Sequence, residues 1–265
     1  MNNLTNQNLL TIKNLNIFYN NQQILSQINL SLKQGEILGI IGESGCGKST
    51  LLQSIIGILD KQTSYIQGKI SYQNLDLLKI NSKNWLNIRG TKIGIIFQNA
   101  SNTLCPVRTI GEHFIETMQQ HQKISRQEVL QQTLILFDKL NLKNGQDIFN
   151  SYPFELSGGM CQRVGIALSI ILKPSLLLAD EPTSALDTIS QAQVIKELLL
   201  INQLFNTSII IVTHNLNVVK KIAHNIAIMQ QGKIIEYGPT SQIINTPKQQ
   251  YTKKLLSSIL YLNRG

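Results

Sequence analysis

The chain of 265 residues has only three cysteines, Cys46, Cys105 and Cys161, and they stand far apart. No CxxC pair and no Cys/His ligand spacing occurs, which argues against a metal site and leaves free thiols in a reducing cytoplasm as the simple reading. Charge is sparse too, at 15% of residues, and the 24 basic against 15 acidic side chains give a net +9 without clustering. The longest basic runs are the pairs Lys220-Lys221 and Lys253-Lys254, so the concentrated footprint that a nucleic-acid partner requires is missing. The most apolar stretch, VGIALSIILKPSLLLA, is broken by Lys173-Pro174 and is too short on either side to cross a bilayer. The first ten residues, MNNLTNQNLL, lack the basic region and apolar core of a secretory signal. A soluble protein follows, with any membrane contact made through a partner. Internal repeats are absent, and the Asn and Gln residues are spread rather than gathered into low-complexity tracts. What is present in quantity is apolar residue, 42% of the chain, enough for one large domain or one domain with an inserted lobe.

The apolar residues are arranged in two ways. LLTIKNLNIFY and ILSQINLSLK alternate apolar and polar positions and read as strands with one solvated face, closed by Gly35. EILGII, KIGIIFQ, SLLLAD and SIIIVTH are short continuous apolar runs, the pattern of strands buried on both faces. Helical spacing follows the first of these, in LLQSIIGIL, and dominates from about residue 100 to 172. It returns in TISQAQVIKELLLINQLF, near NLNVVKKIA and in QQYTKKLLSSIL, while NIAIMQQGKIIEYG reads as a hairpin turning at Gln231-Gly232. Buried strands alternating with helices predict an α/β core with a mostly parallel sheet and an N-terminal antiparallel part. The helical block predicts an inserted lobe. The expected divisions are 1–98, 99–172, 173–245 and a tail helix over 246–265.

Chemistry-bearing residues fall at the ends of these runs. Gly42-Glu43-Ser44-Gly45-Cys46-Gly47-Lys48-Ser49, followed by Thr50, fits G-x-x-x-x-G-K-[ST]. It lies between a buried strand and a helix, the context in which glycines let backbone N–H groups wrap a phosphate. Lys48 would reach the β- and γ-phosphates and Ser49 would ligate Mg²⁺. LLLADEP ends a strand in Asp180 and Glu181. Asp180 suits Mg²⁺ through its water shell, and Glu181 suits polarising an attacking water. Gln98 and His214 each follow a buried strand of the same expected sheet, so Gln98 could serve the metal and His214 the γ-phosphate. Tyr19, at the end of an early strand, admits two readings: a ring that stacks on adenine, or a half-buried strand tyrosine.

A second glycine turn, Leu156-Ser157-Gly158-Gly159-Met160, lies far from the first. Ser157 before two glycines and an apolar helix has N-cap chemistry, with exposed N–H groups that favour an anion. One phosphate loop already serves one triphosphate, so this turn is either a plain helix start or a site for a neighbour's nucleotide.

Taken in order, these residues resemble the ATP-binding subunits of ABC transporters, over nearly the whole chain. Tyr19 matches the A-loop, GESGCGKS the Walker A motif, Gln98 the Q-loop, LSGGMCQR the signature and LLLADEP the Walker B motif. Ser184-Ala185-Leu186-Asp187 matches the D-loop and His214 the switch histidine. NIRGTKIGIIFQ, YPFELSGGM and TPKQQYTKKLL look like the branch that imports dipeptides, oligopeptides and nickel. The chain departs from that branch in FQNASNTLCPVRTIG, where Phe-Gln-Asp-Pro and Leu-Asn-Pro are usual, and in Gln249-Gln250-Tyr251, where His-Pro-Tyr is usual. The resemblance implies a P-loop ATPase at the cytoplasmic face of the cell membrane, using ATP and Mg²⁺. It implies a second ATPase subunit, either a copy or a homologue, two membrane permease subunits, and an extracytoplasmic binding protein met indirectly. ATP would lie between the Walker A loop of one subunit and the signature of the other. The segment after Gln98 is where such subunits meet the permease.

Overall fold

A computed structural model of the chain describes residues 8–99 and 103–262. In chain order the main elements are β1 (Asn8–Tyr19), β2 (Gln22–Lys33), β3 (Ile37–Ile41), α1 (Lys48–Ile56), β4 (Ser64–Tyr72), β5 (Leu75–Asp76), α2 (Ser82–Trp85) and β6 (Ile93–Ile96). There follow α3 (Ile110–Gln119), α4 (Arg126–Lys139), α5 (Gly145–Asn150), α6 (Gly158–Ile170), β7 (Leu176–Asp180) and α7 (Thr188–Phe205). The remainder is β8 (Ser208–Thr213), α8 (Leu216–Ile222), β9 (Asn225–Gln230), β10 (Lys233–Pro239), α9 (Thr240–Asn245) and α10 (Gln250–Leu262). These divide into two compact units, one of residues up to Trp85 with those from Ser208 onward, the other Leu86–Thr207.

In the first unit, β2, β1, β4 and β5 form an antiparallel sheet in that order. The β1–β2 hairpin turns at Asn20 and Asn21, both at positive φ. That is the two-residue turn whose twist suits a hairpin, and Asn tolerates it better than most residues. β3 is flanked by two parallel neighbours, β8 and β9, and all five of its residues are buried. Both faces are therefore covered, and each fully buried Ile or Leu contributes about 1.5–3 kcal/mol. β9 and β10 make the predicted hairpin, with Gln231 and Gly232 both at positive φ. β4 and β5, between residues 64 and 76, had no counterpart in the sequence reading. Their paired residues alternate weakly, in the pattern ieieeeBiB for β4.

In the second unit, β6 and β7 run parallel, Ile93 opposite Leu176 through Ile96 opposite Ala179. The helical segment is real and well capped. Thr109 and Glu112 form a capping box at α3, Ser125 and Glu128 another at α4. Phe114 and Phe137 lock the two helices edge to face at 5.4 Å. No described helix is long and apolar enough to cross a membrane.

Candidate nucleotide site

The loop over residues 42–50 joins β3 to α1 and is built so that only glycine fits at two of its positions. A side chain at Gly42 would collide with the Met229 carbonyl at 2.2 Å, and Gly47 sits at φ 102 with Leu25 only 2.5 Å from where a Cβ would be. Lys48 is buried, and its ammonium donates to the Gly42 and Glu43 carbonyls at 2.8 and 2.9 Å. The loop thus wraps its own lysine and presents a compact positive charge at the N-terminus of α1, where the helix dipole adds to it. Glu43, Ser44, Gly45 and Ser49 are exposed, Thr50 is half-buried and Cys46 is buried. Burial raises the Cys46 thiol pKa, against the opposing influence of Lys48. A strut that the sequence did not announce supports the loop: the turn residue Gly232 donates its N–H to the Cys46 carbonyl at 3.1 Å.

Tyr19 is the last residue of β1, half-buried, opposite Gln22 and Ser64. Its phenol pKa is raised, by desolvation first and by Asp60 second. His214 follows β8 directly and is exposed, and Asn215 beside it caps α8 by accepting from Asn217 N–H at 3.0 Å.

Asp180 ends β7, and Glu181 follows it at φ 45. A non-glycine residue in the left-handed region costs of order 1–3 kcal/mol, strain of a kind that concentrates at functional sites. The turn is held from its carbonyl: Ser184 donates both its N–H, at 3.0 Å, and its hydroxyl, at 2.9 Å, to the Glu181 oxygen. Ala185 is again at positive φ. The Leu186 carbonyl accepts from the Gln191 side chain at 3.0 Å, and Asp187 caps α7 by accepting from the Ile189 and Ser190 N–H groups and the Ser190 hydroxyl. The Ser190 hydroxyl and these amides hold the Asp187 carboxyl below its ordinary pKa. Gln98 lies exposed two residues beyond the end of β6 rather than in the strand, because the edge pairing stops at Ile96 and Phe97 is already 40% exposed. Residues 100–102, in the segment expected to meet a permease, lie outside the described residues.

Ser157 is an N-cap as predicted, accepting from the Met160 N–H at 3.3 Å, with α6 running from Gly158. Leu156 precedes the cap, half-buried, where the short helical turn Pro153–Glu155 ends. Ser157, Gly159, Met160, Lys143 and Ser190 line one open groove. Sequence reasoning missed what holds α6 in place: Arg163 pairs with Glu197 of α7, donates to the Leu140 and Asn141 carbonyls at 3.0 and 3.1 Å, and is 14% exposed against 1% for its partner. Nothing in the pattern of LSGGMCQR or QVIKELLL marks the pair, since both residues look like solvated charges.

The hydroxyl of Ser49, the carboxylate of Asp180 and the amide oxygen of Gln98 are hard oxygen donors, the chemistry Mg²⁺ accepts alongside phosphate oxygens. No group of three or more His, Cys, Asp or Glu side chains that could hold a metal alone occurs among the described residues.

The loop, the strands and the strained acidic turn define a P-loop nucleoside triphosphatase. Residues 25–184 match the family described as ABC transporter, and the chain belongs to it. Over 257 residues it is 39% identical to the metal-staphylopine import system ATP-binding protein CntD of Staphylococcus aureus, covering 96% of this chain and 94% of that one. It is 39% identical over 233 residues to the oligopeptide transport ATP-binding protein AmiE of Streptococcus pneumoniae, covering 88% and 66%. It is 35% identical over 258 residues to the dipeptide transport ATP-binding protein DppD of Bacillus subtilis, covering 96% and 77%. Among solved structures, cbiO1 from Clostridium perfringens, part of the transporter complex cbiONQ, superposes with a TM-score of 0.79 at 25% identity over 98% of this chain and all of that one. A dimeric post-hydrolysis state of the ATP-binding cassette MJ0796, bound to ADP and Pi, superposes with 0.76 at 27% identity over 87% and 98%. The chain is an ATP-hydrolysing subunit of an ABC transporter, as the order of its motifs predicted.

Proposed function

We propose that the chain works at the cytoplasmic face of the cell membrane as one of two ATPase subunits of an importer whose cargo is a peptide or a chelated metal such as nickel. The observation that carries this reading is the match, over nearly its full length, to subunits named for metal-staphylopine and oligopeptide import. Two permease subunits hold it at the membrane, and an extracytoplasmic binding protein delivers the cargo.

The roles follow residue by residue. The loop from Gly42 to Thr50, with the Lys48 ammonium, holds the β- and γ-phosphates, and Tyr19 stacks on the adenine. Ser49, Gln98 and Asp180 would hold Mg²⁺, partly through water, and the ion would supply charge to neutralise the phosphates. Glu181 takes the proton of the attacking water, and His214 hydrogen-bonds the γ-phosphate. Leu156 to Met160 meet the ATP of the partner subunit, and Ser184 to Asp187 form the turn that faces that partner. The strain at Glu181 and the hydroxyl strut from Ser184 support a preorganised carboxylate.

Glu181→Gln keeps shape and removes the base. Turnover should fall by at least about a hundredfold, the contribution typical of a general base, while ATP binding persists. Unchanged turnover would remove Glu181 from the mechanism. Tagged wild-type protein drawn from membranes should bring two permease subunits with it, and purification with ribosomes or DNA alone would refute the transport reading.

A further inference from the structure

The tail helix reaches back to the phosphate loop. Tyr251 is the second residue of α10, and its hydroxyl accepts a hydrogen bond from the Glu43 backbone N–H at 3.2 Å. The start of α10 is itself fixed. The Glu236 carboxylate, on β10, accepts from the N–H groups of Lys248 and Gln249 at 2.8 and 3.2 Å, so Tyr251 is presented by an anchored helix. Burial raises the pKa of its phenol.

The Glu43 N–H belongs to the same peptide unit as the Gly42 carbonyl, and that carbonyl accepts from the Lys48 ammonium at 2.8 Å. Peptide 42–43 is therefore gripped at both ends, by the loop lysine at its oxygen and by the tail tyrosine at its nitrogen. Hydrogen bonds in series through one amide polarise each other. A rotation of this peptide would also carry away the carbonyl that anchors Lys48. The bond from Tyr251 uses the N–H of Glu43 and none of those from Gly45 to Thr50, so it steadies the loop while leaving the later amides to a phosphate.

We propose that Tyr251 is a positioning residue for the phosphate loop, and that docking of α10 and binding of nucleotide are coupled through peptide 42–43. The inference rests on residues 42–50 holding the phosphates of ATP. Coupling of this kind is reciprocal: if the docked tail favours ATP, ATP favours the docked tail by the same factor.

Tyr251→Phe in the full chain removes only the hydroxyl. The bond is solvent-accessible, so its loss falls at the low end for a single hydrogen bond. The Kd for a fluorescent ATP analogue and the KM for ATP should each rise about two- to fivefold, with kcat and the melting temperature unchanged. Hydrogen exchange in residues 250–257 should slow on adding ATP to the wild type and not in Tyr251→Phe. Unchanged Kd and KM, or exchange in the wild-type tail that ignores ATP, would overturn the proposal. So would a loss of kcat and melting temperature with KM intact, since that marks a merely structural tyrosine. Lys48→Ala separates the two levels of the argument. If it binds ATP normally, the loop reading itself fails; if it loses ATP while Tyr251→Phe matches wild type, only the role of the tail fails.

Discussion

Replacing Gly158 by alanine separates what the second glycine turn does for folding from what it does for turnover. Gly158 opens α6 with helical backbone, and a Cβ built on it meets none of the described residues within 4 Å. Folding should therefore gain rather than lose. Removing glycine's freedom from the unfolded chain stabilises by about 0.4–1 kcal/mol, which in a chain of this size raises the melting temperature by roughly 1–4 °C. In the proposed arrangement the same methyl group projects from the helix start toward the partner's nucleotide. There it would disturb one or more charge-assisted hydrogen bonds from the first amides of α6, each about 1.5–3 kcal/mol. Turnover should then fall about ten- to a hundredfold. The assay is ATPase rate against protein concentration, beside a thermal melt and ATP binding to the isolated subunit, which should be unaffected. A raised melting temperature with wild-type turnover would mean that the open face of Gly158 meets nothing. A lowered melting temperature would mean that the steric account of the turn is wrong.

Gly159→Ala should behave oppositely: its Cβ would lie 2.7 Å from the Ser190 hydroxyl, which is already bonded to Asp187 at 2.6 Å, so a loss of about 1–3 kcal/mol is expected. Adding Ser190→Ala should recover part of that loss in urea midpoints, and no recovery would contradict the clash. Arg163→Met leaves the buried Glu197 carboxylate without its cation and should cost about 3–5 kcal/mol at pH 8. Burial already raises the Glu197 pKa, with Arg163 pulling the other way, so the variant raises it further. A group with a raised folded pKa stabilises below its unfolded value, and that contribution is lost as pH rises through the folded pKa. The deficit of Arg163→Met against wild type should therefore be smallest near pH 4, where only the bonds to the Leu140 and Asn141 carbonyls are lost, and grow as pH rises; a pH-independent deficit in denaturant melts would contradict it.

Some of this architecture was legible before the structure because its physics is local. The run from Ile37 to Ile41 is apolar throughout because both faces are covered, and the phosphate loop declares itself because glycine is the residue that survives at φ 102 beside Leu25. Ser157 and the hairpin turn at Gln231-Gly232 are readable for the same reason: a cap or a turn is made within a few residues of chain. What was not legible depends on distant partners. Arg163 and Glu197 are 34 residues apart, and Tyr251 meets Glu43 across 208. Either pair looks like ordinary surface polarity until the fold brings its members together. Gln98 and β4 show a third case, since strand boundaries follow from pairing with a neighbour rather than from the strand's own residues.

The two glycine turns differ in what requires them, and the difference bears on assembly. In the first turn Gly42 and Gly47 each have a cause inside the chain: Met229 crowds Gly42, and Gly47 holds a backbone angle that side chains resist. In the second, Gly159 is likewise answered by Ser190, on α7. Gly158 is not. Its backbone is helical, its surroundings are open, and alanine there would favour folding. A glycine that weakens its own helix without relieving any internal contact has a use only if something outside the chain must come close to the backbone. The first amides of a capped helix, at the positive end of its dipole, are suited to an anion. The first loop already accounts for one triphosphate. An open glycine at that point supports the proposed half-site, completed by the nucleotide that another subunit carries.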